Sequence, residues 1–137
     1  MKKIKYFFPS IVWQAIILVL IIVPGNYIPY VQTFADWLQW DKIVHLFLFG
    51  LLSMTLLWGF FKVKRLALPM YLFVFLFSAL WGGVTEYLQY WLDVGRNGNI
   101  YDFSANLLGN GLGCFFFFLI KKEKTTIPSD SQQHKCR

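Results

Sequence analysis

Four long apolar stretches constrain this chain more than any other feature of its sequence. Each has about the length that an α-helix needs to cross a bilayer, which is roughly 20 residues with about 17 to 25 tolerated. The sequence therefore predicts an all-α protein whose residues 1–124 form one four-helix transmembrane bundle, followed by a disordered cytoplasmic tail over residues 125–137. The predicted spans cover about residues 7–23, 43–61, 66–88 and 102–120.

The composition supports a membrane environment rather than water around the bundle. Of the 137 residues, 57% are hydrophobic and 20% are aromatic, and the mean hydropathy is +0.50. A soluble domain of this size does not carry so many apolar side chains, so the excess needs lipid to face. The predicted spans occupy more than half of the chain and leave no room for a separate soluble domain.

The basic residues predict the orientation of the bundle. A net charge of +6 is compatible with nucleic-acid binding, but most of the basic residues flank the spans at one end, with only Lys42 and Arg96 at the other, so we expect no nucleic-acid partner. The positive-inside rule then places both termini and the second loop on the cytoplasmic side of the membrane. The flanking cations are Lys2, Lys3 and Lys5 before the first span, Lys62, Lys64 and Arg65 in the second loop, and Lys121, Lys122 and Lys124 after the fourth span.

The first apolar stretch can be interpreted as a cleaved secretory signal or as a membrane anchor. Secretory signals also begin with basic residues followed by an apolar run. This run is long for a signal, however, and the residues after it, 23–27 (VPGNY), lack a cleavage site of the small-x-small type. These two features favour the anchor.

Polar side chains recur at helical spacing on three of the predicted spans. Residues three or four positions apart share one face of a helix, and Gly109 with Gly113 has the GxxxG spacing of close helix contacts. These stripes can face one another, which would bring His45, Glu86 and Asp102 to a similar depth in one polar pocket at the outer face. The stripes are Asp41 and His45; Ser78, Gly82, Glu86 and Gln89; and Asp102, Asn106, Gly109 and Gly113.

The same residues, in the same order, resemble the VanZ-like family of small bacterial membrane proteins. The matching pieces are residues 41–47 (DKIVHLF), 85–89 (TEYLQ), Arg96, and 102–113 (DFSANLLGNGLG). The family is named for a protein associated with resistance to the glycopeptide teicoplanin. The resemblance implies a multi-pass protein of the bacterial cell envelope, with a wider similarity to membrane enzymes that handle lipid head groups. Unlike the longer members of the family, this chain is expected to carry no appended domain.

Three residues are candidates for catalysis, and each also has a structural interpretation. His45 can do acid–base chemistry near neutral pH, or it can be held by a hydrogen bond to Asp41 or Glu86. Glu86 can act in chemistry or form a structural ion pair with Arg96 or Lys42. Asp102 can act in chemistry or cap the N-terminus of the fourth helix.

Four further residues are candidates for substrate binding. The guanidinium of Arg96 can bind a phosphate through two parallel hydrogen bonds, and Lys42 can add a positive charge. Gln89 and Asn106 can orient a ligand because an amide both donates and accepts, although helix packing is an alternative role for Asn106. The expected partner is a membrane lipid, such as one with a phosphate-bearing head group, or a lipid-linked cell-wall precursor.

The sequence predicts neither a metal nor a named cofactor. His45, Glu86 and Asp102 are conceivable metal ligands, but their spacing matches no specific site. Two functions therefore stay open. The chain is either an enzyme acting on lipid-linked head groups, or a non-catalytic protein that binds an envelope lipid, a cell-wall precursor or a partner protein and is related to glycopeptide resistance.

Overall fold

The computed structural model describes residues 3–22, 40–63, 66–92 and 100–126. These ranges form four α-helices, with a short 3-10 turn at Ile4–Tyr6 before the first. The predictions for Arg96, for the loop around it and for residues 127–137 of the tail lie outside the described residues. The helices are α1 (Phe8–Ile22), α2 (Trp40–Val63), α3 (Leu68–Leu92) and α4 (Ile100–Thr126).

The observed helices differ from the predicted spans mainly at their ends. Helix α2 begins three residues before the predicted span, α3 continues to Leu92, and α4 begins at Ile100 and continues to Thr126. The prediction followed apolar side chains, whereas a helix continues through polar residues as long as its backbone hydrogen bonds can form. As a result Asp102 lies inside the first turn of α4 and is not the N-cap residue that precedes the helix.

Three of the helices are long and apolar enough to cross a membrane. They are α2 over Asp41–Val63, α3 over Leu68–Leu92 and α4 over Ile100–Lys121. The described part of α1 is apolar but shorter, with 15 residues. Its length is about 22 Å at the usual rise per residue, less than the roughly 30 Å hydrocarbon core of a bilayer.

The distribution of polarity is the reverse of that in a soluble protein. Large apolar side chains such as Leu72, Leu80 and Leu108 are more than half exposed, whereas His45 and Asn106 are buried. A protein surrounded by water would place these groups the other way round. Together with the three long helices, this distribution indicates a multi-pass membrane protein.

Neighbouring helices in sequence run antiparallel, so α2 and α4 run parallel. The indole Nε1 of Trp13 in α1 donates a hydrogen bond to the carbonyl of Leu48 in α2 at 2.8 Å. The rings of Phe60 in α2 and Phe73 in α3 meet edge to face with centroids 5.9 Å apart. Within the described residues, α2, α3 and α4 all contact one another, and α1 packs on α2 and α3.

Glycine allows α2 and α4 to approach until their backbones touch. A Cβ added at Gly109 would overlap the carbonyl oxygen of Leu46, and one added at Gly113 would overlap that of Gly50. The predicted GxxxG contact is therefore present, and its partner is the backbone of α2. This approach places the polar faces of the two helices within hydrogen-bonding distance.

Two ends of the bundle follow from this topology. The site end comprises the first turns of α2 and α4 and the last turns of α3, including Lys42, Glu86 and Asp102. The basic end comprises residues 3–7 before α1, the end of α2 and the end of α4, including Lys5, Lys62 and Lys121. The apolar core lies mainly between the middle and the basic end and contains Ile17, Leu48, Phe49, Leu52, Leu56, Leu57, Val74 and Phe117.

Candidate functional site

The site end contains buried polar residues from all three long helices. His45 of α2, Glu86 of α3 and Asp102 of α4 are 5%, 8% and 7% exposed. The antiparallel path of α3 brings its last turns beside the first turns of α2 and α4, although these segments are far apart in sequence. The structure thus places the three predicted catalytic residues at one end of the bundle.

Asn106 connects His45 to Glu86. Its Oδ1 lies 2.9 Å from His45 Nδ1, and its Nδ2 donates to Glu86 Oε1 at 3.2 Å. His45 Nδ1 is also 3.4 Å from Glu86 Oε1. The central amide is completely buried, so these contacts are shielded from solvent. One side chain from each long helix thereby joins a single hydrogen-bonded network.

With Glu86 ionised, the network selects one tautomer of the His45 imidazole. An ionised carboxylate only accepts hydrogen bonds, so the NH₂ group of Asn106 faces Glu86 and its oxygen faces His45. His45 Nδ1 must then carry a hydrogen and donate it. In the neutral ring this leaves the lone pair on Nε2. This nitrogen lies 3.8 Å from Oδ1 of Asp41, a residue one helical turn nearer the site end. The nitrogen that can accept a proton is therefore the one on the side of Asp41.

Lys42 and Asp102 form the next contact toward the end of the bundle. The Nζ of Lys42 lies 3.8 Å from Asp102 Oδ1, with 18% and 9% of the two side chains exposed. This distance is within the range of an ion pair. A cation and a carboxylate therefore lie at the rim of the network, on the side of the site end, where a charged ligand can compete for either.

Gln89 is the third substrate-binding candidate within the described residues, after Lys42 and Asn106. It lies one turn beyond Glu86 on the same buried face of α3 and is 3% exposed. Its Nε2 makes no hydrogen bond within the described part of the chain. The side chain is thus placed as the sequence predicts, with a donor still available.

The sequence interpretation missed a buried polar pair, Ser53 and Asn110. The hydroxyl of Ser53 donates to Asn110 Oδ1 at 2.8 Å, and both residues are completely buried. Asn110 lies within the motif of residues 102–113, but the sequence gives it no role of its own. The available signal was spacing, because Ser53 lies eight residues after His45 and Asn110 lies eight after Asp102, which is about two helical turns on the same face.

No group of three or more His, Cys, Asp or Glu residues within the four described ranges is arranged to hold a metal ion. A groove of about 490 Å³ lies away from the network of His45, Asn106 and Glu86. It lies on the outer surface of α3, is lined almost entirely by apolar atoms, and includes Leu76, Leu80, Tyr87 and Phe103. Its location differs from that of the predicted polar pocket.

Comparisons with protein-family models, with curated proteins and with solved structures give no match for this chain. The resemblance to the VanZ-like family therefore depends on the sequence motifs described above. What the site can do has to be inferred from its own geometry.

Proposed function

We propose that this chain is a VanZ-like, multi-pass protein of the bacterial plasma membrane that acts on the phosphate-bearing head group of a lipid at its site end. The observation that carries the proposal is the buried hydrogen-bonded network of His45, Asn106 and Glu86. A helix bundle in lipid does not need a buried imidazole and carboxylate to fold, and ionisable groups at membrane depth commonly mark functional sites.

Charge distribution supports an orientation with the site end outside the cell. Among the described residues, Lys3, Lys5, Lys62 and Lys121 all belong to the basic end, whereas Lys42 belongs to the site end and lies beside Asp102. The positive-inside rule favours the basic end, and with it both termini, in the cytoplasm. The substrate would then be a lipid or lipid-linked precursor of the outer leaflet.

In the proposed mechanism His45 transfers the proton. Its Nε2 removes a proton from a water molecule or hydroxyl group while that oxygen bonds to the phosphorus of the head group. The bond from phosphorus to the leaving oxygen breaks, and the proton passes from Nε2 to that oxygen. Glu86, acting through Asn106, holds Nδ1 as the donor and stabilises the charged imidazole. Lys42 and Arg96 are the cations proposed to bind the phosphate.

The test uses His45→Gln and Glu86→Gln with Ser104→Ala as control. Ser104 is on the exposed side of α4 and bonds to the Ile100 carbonyl of its own helix, so its loss should leave the network unchanged. Each protein is purified in vesicles containing phosphatidylglycerol, phosphatidylethanolamine and undecaprenyl phosphate, and the lipids are followed by mass spectrometry. We expect turnover by the wild type and the control and at least about 100-fold less by His45→Gln. Unchanged lipids with the wild type would refute the enzymatic proposal.

A second function, binding without chemistry, is favoured by a different observation. Lys42 Nζ lies 3.8 Å from Asp102 Oδ1, and 18% of the lysine side chain is exposed, so an incoming phosphate can compete with the carboxylate for this cation. This version predicts an intact lipid that copurifies with the wild type in native mass spectrometry and is lost in Lys42→Met and Arg96→Ala. Retention of the lipid by both variants would exclude a phosphate clamp.

A further inference from the structure

Buried residues of the three long helices form three successive layers across the bundle, and each layer contains at least one polar side chain. In each of the three long helices the members of adjacent layers are four residues apart, which is about 6 Å along the axis. Because α3 runs opposite to α2 and α4, all of these steps lead from the site end toward the basic end. The layers are His45, Glu86 and Asp102; then Phe49, Gly82 and Asn106; then Ser53, Ser78 and Asn110.

Contacts in the middle layer establish this register. A Cβ at Gly82 would lie 3.3 Å from Asn106 Nδ2 and 3.3 Å from Phe49 Cε1, so one residue of each long helix meets at this level. The hydrogen bond between Ser53 and Asn110 joins two helices in the third layer. One turn beyond Gly82, Ser78 of α3 therefore lies at the level of Asn110. This layer falls near the middle of all three apolar helices.

The third layer contains two buried polar groups without a hydrogen bond. Ser78 Oγ and Asn110 Nδ2 have no partner within the described residues, and both side chains are completely buried. An unsatisfied amide or hydroxyl in an apolar environment costs several kcal/mol on hydrocarbon scales. Lipid offers no hydrogen-bond partner at this depth.

We propose that the third layer binds a structural water molecule at the level of the bilayer centre. The Nδ2 of Asn110 donates to the water, Ser78 Oγ exchanges a hydrogen bond with it, and Ser53 Oγ, whose hydrogen is used on Asn110, can accept from it. Buried waters typically make about three such bonds to groups that would otherwise be unsatisfied. The water joins α3 to the pair formed by α2 and α4 and fixes their relative positions beneath the network. The inference is independent of any chemistry at His45.

The direct test is nuclear magnetic resonance of the full chain in deuterated lipid nanodiscs. The side-chain amide of Asn110 is assigned as the signal that disappears in Asn110→Leu. We expect a cross peak from this amide to the water resonance and its loss in Ser78→Val. The indole of Trp13, whose Nε1 is bonded to the Leu48 carbonyl, is the matched control without such a cross peak. An assigned Asn110 amide with no water contact would overturn the proposal.

Thermal unfolding of Ser78→Ala gives an independent test, because the midpoint of unfolding should change in opposite directions with and without the water. If Ser78 binds the water, removal of its hydroxyl leaves a bond unmade, and the midpoint of unfolding should fall by a few degrees. If the hydroxyl has no partner, its removal should raise the midpoint. Ser104→Ala removes the same group from an exposed position and should leave the midpoint unchanged. An unchanged or raised midpoint in Ser78→Ala would contradict the proposal.

Discussion

The two ends of the bundle treat charged side chains in opposite ways. At the site end, Glu86 lies between the helices and bonds to a completely buried amide. At the basic end, cations lie on aromatic rings at the outside of the bundle: Lys121 Nζ is 3.6 Å from the ring centroid of Phe61, and Lys62 Nζ is 5.7 Å from that of Trp58. One end holds charge within the bundle, and the other keeps it near water and lipid head groups.

This difference shows which end requires a particular arrangement of side chains. A cation on an exposed ring gains a modest attraction and keeps much of its hydration, so lysines there anchor the protein without requiring a particular geometry. A buried carboxylate loses its hydration and is tolerated only with suitable hydrogen-bond donors. The site end therefore depends on exact partners, and substitutions there should have larger effects than at the basic end.

Substituting Gly109 should produce the largest effect, because it breaks the helix approach on which the site end depends. In Gly109→Ala the new Cβ overlaps the Leu46 carbonyl, and relieving that overlap requires α2 and α4 to separate. We expect a loss of about 3 kcal/mol or more in the free energy of unfolding, at the upper end for overpacking. Gly111→Ala is the matched control, since a Cβ there meets no atom within 4 Å. Equal stability of the two variants in a chemical or thermal unfolding assay would contradict this packing.

Removing Asn106 should have the next largest effect. Asn106→Leu conserves volume approximately but removes both hydrogen bonds that hold His45 and Glu86. We expect destabilisation of about 2 kcal/mol, since hydrogen bonds between membrane helices average about 0.6 kcal/mol and a charged group additionally loses its donor. Thermal unfolding in nanodiscs measures the change. A variant as stable as the wild type would mean that the network contributes nothing to folding, which would itself favour a purely functional reason for its presence.

The rim pair should contribute less than the network because it is nearer the surface. A double-mutant cycle of Lys42→Met and Asp102→Asn should give a coupling energy of about 1 kcal/mol or less, reduced further by salt. The measurement is the unfolding free energy of both single variants and the double variant at low and high ionic strength. A coupling energy of several kcal/mol that is insensitive to salt would mean that this pair is desolvated like the network of His45, Asn106 and Glu86.

The smallest effect is expected at the basic end. Lys121→Met removes the cation beside Phe61 and Phe117 while keeping an apolar stem, and should cost about 0.5 kcal/mol. Lys62→Met should cost less still, because its Nζ lies farther from the ring of Trp58. Differential scanning of both variants beside Asn106→Leu provides the comparison. An effect at Lys121 as large as that at Asn106 would mean that the basic end also depends on exact geometry.

Much of the fold follows from local features of the sequence. Long apolar runs predict α2, α3 and α4, because a spanning segment must satisfy its own backbone in lipid. Polar or small residues also recur at four-residue steps from Glu86 in α3 and from Asp102 in α4. This spacing correctly indicates the buried faces of the two helices. Helix ends were less accurate, since α4 begins before its apolar run and includes Asp102 in its first turn.

The partners within the site were less predictable. From the sequence, His45 could bond to Asp41 or Glu86, and Asn106 could serve in helix packing alone. In the structure Asn106 lies between His45 and Glu86, and Lys42 lies beside Asp102. Spacing identifies the face on which a residue lies, but the relative shift of two helices selects its neighbour, and that shift depends on backbone contacts such as the one at Gly109.

The sequence by itself determined that this protein has three helices long and apolar enough to cross a membrane and that each has one polar face, because length, hydropathy and periodicity are properties of single segments. Only the tertiary structure decided that Asn106 joins His45 to Glu86 and that Ser53 meets Asn110. These contacts depend on how closely α2 approaches α4, and that distance is set where a glycine of one helix touches the backbone of the other.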